Sequence, residues 1–250
     1  MIISLVAFIF VFSIIVLVHE CGHFFAARLS GVKVYEFSIG FPFSPKLLNL
    51  FHHRETEFTL RLLPLGGFVR FSKEGDEGAK DLFEASYSKR AFIMSAGSLF
   101  NFVFAFIIFI PIFIIGKDIY FFNAAYLSAK ILWEIFSGTI TFFTGLFSGH
   151  GGIELLSGPV GIAAMAGKAA SGGLLSVFYF TGVLSVSLGI MNLFPLPALD
   201  GGQLLMLAIE GVIKRPIAIK AHQAVNLIGF ALFLVLTVMV TYKDIIKLMA

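Results

Sequence analysis

Long stretches without a charged residue dominate the chain. Ala91 to Gly116, Ala169 to Leu199 and Ala221 to Tyr242 contain no Asp, Glu, Lys or Arg, and Met1 to Ala27 contains only Glu20. Each exceeds the roughly 20 apolar residues needed to cross a bilayer core, which predicts membrane-spanning helices at about 2–27, 91–116, 172–199 and 221–242. A fifth apolar stretch, 123–148, is long enough to span, but Lys130 and Glu134 stand four apart within it and Gly138, Gly145 and Gly149 loosen it. Between the first two spans, residues 58–71 read FTLRLLPLGGFVRF. Two short β-favouring runs broken by Pro64, Gly66 and Gly67 predict a β-hairpin. It either packs one face on the helix bundle or offers an edge strand to an extended peptide, and both readings stand. Residues 72–81, SKEGDEGAKD, read as a solvated loop.

Composition agrees with a membrane protein. Of the 250 residues 58% are hydrophobic and only 13% charged, and the mean hydropathy is +0.95. This excludes a soluble globule, intrinsic disorder and free nucleic-acid binding. Ten of the eighteen Lys and Arg lie in residues 28–90, so that loop is expected on the cytoplasmic side, with the N-terminus outside. No cation precedes Arg28 and no small-residue cleavage pattern follows the first apolar run, so the first span is expected to be retained. The single cysteine, Cys21, allows no intramolecular disulfide and no cysteine metal cluster.

Chemistry enters at the inner end of the first span, His19-Glu20-Cys21-Gly22-His23. On a helix, residues i and i+4 share a face about 6 Å apart along the axis, so two imidazoles can grip one cation. Glu20, beside the first ligand, is placed to act as general base, the arrangement of zinc metalloproteases. An ionisable group flanked by imidazoles in a lipid span is functional by default. Cys21 projects away from His19 and reads as a packing residue, while Gly22 admits close helix approach.

Catalytic zinc takes three protein ligands and keeps one position for water. Asp200 is the candidate third ligand, because it ends an uncharged window at Asn192-Leu193-Phe194-Pro195-Leu196-Pro197-Ala198-Leu199-Asp200-Gly201-Gly202. Two prolines obstruct regular helix and two glycines allow a turn, a break that aims a carboxylate into a cavity. A shared site with His19 and His23 requires Asp200 near the cytoplasmic face, hence an even number of crossings before the third span. Residues 123–148 then form a surface or re-entrant amphipathic helix. The expected fold is a single membrane-embedded domain over 1–250, an all-α polytopic protein with four transmembrane helices and a small membrane-associated β-hairpin region.

Together these residues resemble the site-2 protease family of intramembrane zinc metalloproteases over nearly the whole chain. HECGH fits the family's H-E-x-x-H, and Asn192 to Gly201 fits its N-x-x-P-x-x-x-L-D-G. Lesser matches are LPLGGFVRF at 63–71, SKRAFIMSAGSLFNF at 88–102 and SGPVGIA at 157–163. The resemblance implies Zn2+ held by His19, His23 and Asp200, Glu20 as catalytic acid and base, and Asn101, Asn192, Gly66 and Gly67 as substrate-binding residues. For the two asparagines, interhelical hydrogen bonding stands beside that role. It also implies single-span membrane proteins as substrates, such as anti-sigma factors or remnant signal peptides, and residence in the bacterial cytoplasmic membrane. The chain departs from the family at Ser98, where proline is frequent, a change expected to alter the local helix start. No PDZ domain, which many bacterial members carry after the second span, fits between Gly116 and residue 123.

Two other readings remain. A prenyl-protein or heat-shock type membrane metalloprotease would draw its third ligand from Glu84, Glu134, Glu154 or Glu210, and a non-catalytic metal-binding membrane protein would dispense with Glu20. His52, His53, His150 and His222 read as solvated residues without a role.

Overall fold

A computed structural model describes residues 2–42, 44–63, 66–72, 80–148 and 156–249. In chain order the elements are α1 (Ile2–Ser30), β1 (Glu36–Ile39), β2 (Lys46–His53), β3 (Thr56–Arg61), β4 (Gly67–Arg70), α2 (Lys80–Phe83), α3 (Tyr87–Lys117), α4 (Phe121–Phe147), α5 (Pro159–Ser171), α6 (Leu174–Leu193), α7 (Asp200–Ile213) and α8 (Ile219–Met249). Among the described residues, four helices are long and apolar enough to cross a membrane: α1, α3, α6 and Lys220–Lys247 of α8. The amphipathic α4, with its exposed Lys130–Glu134 pair at 3.8 Å, is not among them. His150 and most of the polar loop at 72–81 lie outside the described residues.

Contacts divide the chain into two units. One comprises Phe12–Asn101 and Met191–Gly229. Its apolar core joins α1, α2 and α3 through Ala26, Ala27, Val32, Val34, Leu82, Ile93 and Ala96. Against α1 stands a four-stranded sheet in the order β2-β3-β1-β4, with Phe24 of α1 packed edge-on to Phe37 and Phe58.

The sheet corrects the expected hairpin over 58–71. That segment does hold two strands, β3 and β4, but β1 lies between them, parallel to β3 and antiparallel to β4. The pattern hid the other two strands for identifiable reasons. β1 has only four residues, and its Glu36 and Ser38 are buried polar groups. Glu36 accepts from Thr59 Oγ1 at 2.8 Å and Arg61 Nη2 at 2.9 Å, and pairs with Arg70. In β2, register shifts at Lys46/Leu48 and Asn49/Phe51 break the two-residue alternation by which a strand is read.

The second unit comprises Met1–Val11, Phe102–Ile190 and Phe230–Ala250. Val11, Ala166 and Phe180 form its buried cluster. Gly182 lets α6 close on Phe109 of α3, where a Cβ would stand 2.6 Å from the ring. Pro111 sits inside α3, which is tolerated in apolar helices whose freed carbonyls find other partners. Asp244 of α8 caps α5, its Oδ2 accepting the Gly158 and Gly161 N–H groups at 2.8 Å each. Lys243 donates to the Leu156 carbonyl beside it.

The third apolar stretch, expected as a span over 172–199, is regular only to Leu193. Residues 194–199 are non-helical and lead directly into Asp200, the first residue of α7. α5 and α7 were not expected as helices. Ser98 falls well inside α3, which begins at Tyr87, so the departure from the family pattern there leaves the helix start untouched.

Candidate metal centre

The site lies within the first unit, on α1, α3, β4 and the start of α7. His19 and His23 occupy successive turns of α1, with ring centroids 4.7 Å apart, and both are buried. His23 Nδ1 contacts the Ile93 carbonyl at 2.7 Å. A carbonyl can only accept, so that nitrogen carries the proton and the Nε2 lone pair points away from it. It points at Nε2 of His19, 3.1 Å off, and at Asp200 Oδ2, 3.3 Å off. The third side of the triangle, His19 Nε2 to Asp200 Oδ2, is 3.0 Å.

Asp200 arrives there through the broken backbone ahead of it. Ala198 takes φ 72°, a left-handed conformation that costs a residue with a Cβ about 1–2 kcal/mol. Gly201 and Gly202 let the 193–197 backbone fold onto the first turn of α7: a Cβ at Gly201 would stand 2.2 Å from the Phe194 carbonyl oxygen, and one at Gly202 as close to that of Leu196. From the far side Gly229 of α8 meets Pro197, where a Cβ would lie 2.1 Å away.

The donor set fits zinc. Ligands about 2.0–2.1 Å from a tetrahedral ion stand about 3.3 Å from one another, close to the three separations observed. Two imidazole nitrogens and one carboxylate oxygen make a borderline-soft set with one tetrahedral position left over. Among the described residues this is the one group of three or more such side chains placed to hold a metal.

Around it, Glu20 is half-buried and accepts from the Val69 N–H of β4. Gly67, one turn of the pleat away, packs so closely that a Cβ there would lie 3.1 Å from Glu20 Cγ. Gly66, at φ 111°, precedes it and its carbonyl accepts from the Gly40 N–H at 2.9 Å. Asn101 Nδ2 is 3.4 Å from His19 Nδ1, and Asn192 Nδ2 is 3.4 Å from His19 Nε2. All eight residues singled out from the sequence therefore belong to one unit, with Gly66 the most peripheral.

Sequence reasoning missed the role of Gly97. A Cβ there would stand 2.6 Å from both His19 Cε1 and His23 Nε2. Gly22 does serve close helix approach, at the Ala96 carbonyl of α3. Two helices meeting at small residues is the signal that pointed toward Gly97. His222 is a correction: it is buried, not solvated, and its Nε2 meets Glu210 Oε1 at 3.0 Å. Arg90 Nη1 donates to the other oxygen of Glu210 at 2.6 Å. Glu210 is thus engaged by Arg90 and His222 and is not grouped with His19 and His23, and Glu134 pairs with Lys130 at an exposed position.

An H-E-x-x-H helix completed by a distant carboxylate defines a metallopeptidase centre, here among apolar spans. A family model described as Peptidase family M50 matches residues 7–236, and the chain belongs to that family. It is similar to "Putative zinc metalloprotease CPE1693" of Clostridium perfringens, 30% identical with 94% of this chain and 96% of the relative covered. It is also similar to zinc metalloprotease RasP of Shouchella clausii, 24% identical over 98% of this chain and 99% of the relative. RasP of Geobacillus kaustophilus is 46% identical over 46% of this chain and 26% of its own length. The first two alignments run 325 and 424 positions, more than the 250 residues here, so those relatives carry additional sequence within the matched region. The protein is a zinc metalloprotease of the site-2 type and a multi-pass membrane protein.

Proposed function

We propose that this protein hydrolyses peptide bonds within the transmembrane segments of single-span membrane proteins, with His19, His23 and Asp200 holding zinc and Glu20 moving the proton. The observation that carries this is the triangle of His19 Nε2, His23 Nε2 and Asp200 Oδ2 at 3.0–3.3 Å, with Glu20 adjoining on the same helix. Zinc bound there would polarise the scissile carbonyl and lower the pKa of a water to about 7. Glu20 would take a proton from the attacking water and deliver it to the amide nitrogen as the C–N bond breaks, so the products are a carboxylic acid and an amine. The Val69 N–H orients the Glu20 carboxylate for this transfer.

A transmembrane helix hides its carbonyls in internal hydrogen bonds and must unwind before it can react. The β4 edge beside Glu20 offers the opened segment backbone partners, and Gly66, where an added Cβ would meet nothing nearer than Val16 at 4.0 Å, leaves room for its approach. Asn192, half-buried and close to His19, is placed to bind substrate backbone. In the membrane we place the N-terminus outside and the site near the cytoplasmic face of a bacterial inner membrane, because the cations concentrate in residues 28–90. The amphipathic α4 is then a surface or re-entrant helix.

Co-expression with a single-span reporter tests the assignment. Wild type is expected to cut it, and Glu20→Gln to lose at least 100-fold in rate while keeping zinc. Cleavage undiminished in Glu20→Gln would remove Glu20 from the chemistry.

A further inference from the structure

We propose that Asn101 is a positioning residue for His19, holding its imidazole in the tautomer that directs Nε2 at the metal, and not a substrate contact. The inference rests on the zinc assignment above. The two imidazoles face the same problem: each must present an Nε2 lone pair, so each Nδ1 must carry a proton and donate it. For His23 the acceptor is the Ile93 carbonyl at 2.7 Å. For His19 the group facing Nδ1 is the Asn101 amide, at 3.4 Å.

An amide can meet that need in one orientation only. Its oxygen accepts from Nδ1–H, whereas its NH2 would require a lone pair on Nδ1 and so place the proton on Nε2, where the metal belongs. The two ends of an Asn side chain are assigned by the bonds they make, and zinc binding selects the oxygen. Asn101 is 0% exposed, which removes it from an incoming peptide. It comes from α3, two helical turns beyond Ile93 in the same helix. One helix therefore orients both histidines of another, by a main-chain carbonyl and by a side-chain amide, while Gly97 between them lets the rings approach.

The test uses full-length protein in detergent with Asn101→Leu, which keeps the shape and removes the acceptor, and Asn101→Asp, which keeps an acceptor oxygen. Zinc affinity is read by chelator competition, folding by circular dichroism, and KM and kcat on the reporter substrate at saturating zinc. Asn101→Leu is expected to bind zinc about 10–100-fold more weakly with KM unchanged, and Asn101→Asp to restore affinity to within a few fold. Should Asn101→Leu raise KM while zinc affinity stays at the wild-type value, the residue binds substrate and the proposal is overturned. If Asn101→Leu does not fold, Asn101→Asp decides alone: wild-type zinc affinity supports the acceptor role, and a loss like that expected of Leu overturns it. If wild type itself binds no zinc, or His23→Ala leaves affinity intact, the failure belongs to the metal assignment instead.

Discussion

Gly97 has no functional atom, yet the centre depends on what it lacks. Its Cα faces the gap between the imidazoles, and a methyl group there would sit 2.6 Å from each ring, inside any real carbon contact. Gly97→Ala is expected to keep the helices folded and to weaken zinc binding more than tenfold, checked by chelator competition beside a circular dichroism spectrum. Wild-type zinc affinity in that variant would show that the rings have room to move. The grouping of His19, His23 and Asp200 was readable from the sequence because ligand chemistry restricts residue type and helix geometry restricts spacing. Gly97, Val69 and the Ile93 carbonyl were not, since their roles come from which face of α3 or β4 meets α1. His222 was misread because its neighbour Glu210 is twelve residues off along the chain and becomes its partner only after α7 and α8 pack.

α7 is fastened at both ends. Its first residue is Asp200, and near its last turn Glu210 accepts from Arg90 on α3, from His222 on α8 and from the Ile217 N–H. Phe83 lies against both the His222 ring and the Arg90 guanidinium. Burial would raise the Glu210 carboxyl; donation from His222 and Arg90 outweighs it and lowers the group below its ordinary value. A carboxyl depressed on folding contributes stability above its unfolded value near 4.3 and loses it as pH falls through the folded value. Glu210→Gln is therefore expected to destabilise the protein by about 3 kcal/mol at pH 7, leaving a buried cation without its counter-charge. The deficit relative to wild type should shrink below about pH 4, as followed by thermal unfolding in detergent. An equal deficit at both pH values would rule out the ionised carboxylate as its source. α7 itself was hidden in the sequence: its opening Asp-Gly-Gly reads as a turn, and only the crowding of those glycines against residues 193–197 shows why a helix begins there.

Four apolar helices were readable because lipid forbids uncompensated charge, so their sequences announce themselves by what they omit. The sheet was not, since its strands are short and its order brings β1 between two strands that follow it in the chain. Orientation of the whole chain is testable because Cys21 is its one cysteine. In a Cys21→Ser background, Glu55→Cys, at the exposed turn between β2 and β3, should react with an impermeant maleimide only from the cytoplasmic side. Tyr120→Cys, 86% exposed before α4, should react only from outside; the reverse pattern would invert the proposed topology.

The division of the proposed metal donors between α1 and α7 also has a consequence in time. Asp200 follows His23 by 177 residues, so the carboxylate is synthesised long after the two histidines. At about 5–20 residues per second that interval lasts on the order of ten seconds or more. Throughout it the nascent chain holds only two of the three proposed ligands. Under the proposed assignment the zinc site is therefore complete only once the segment carrying Asp200 has been made.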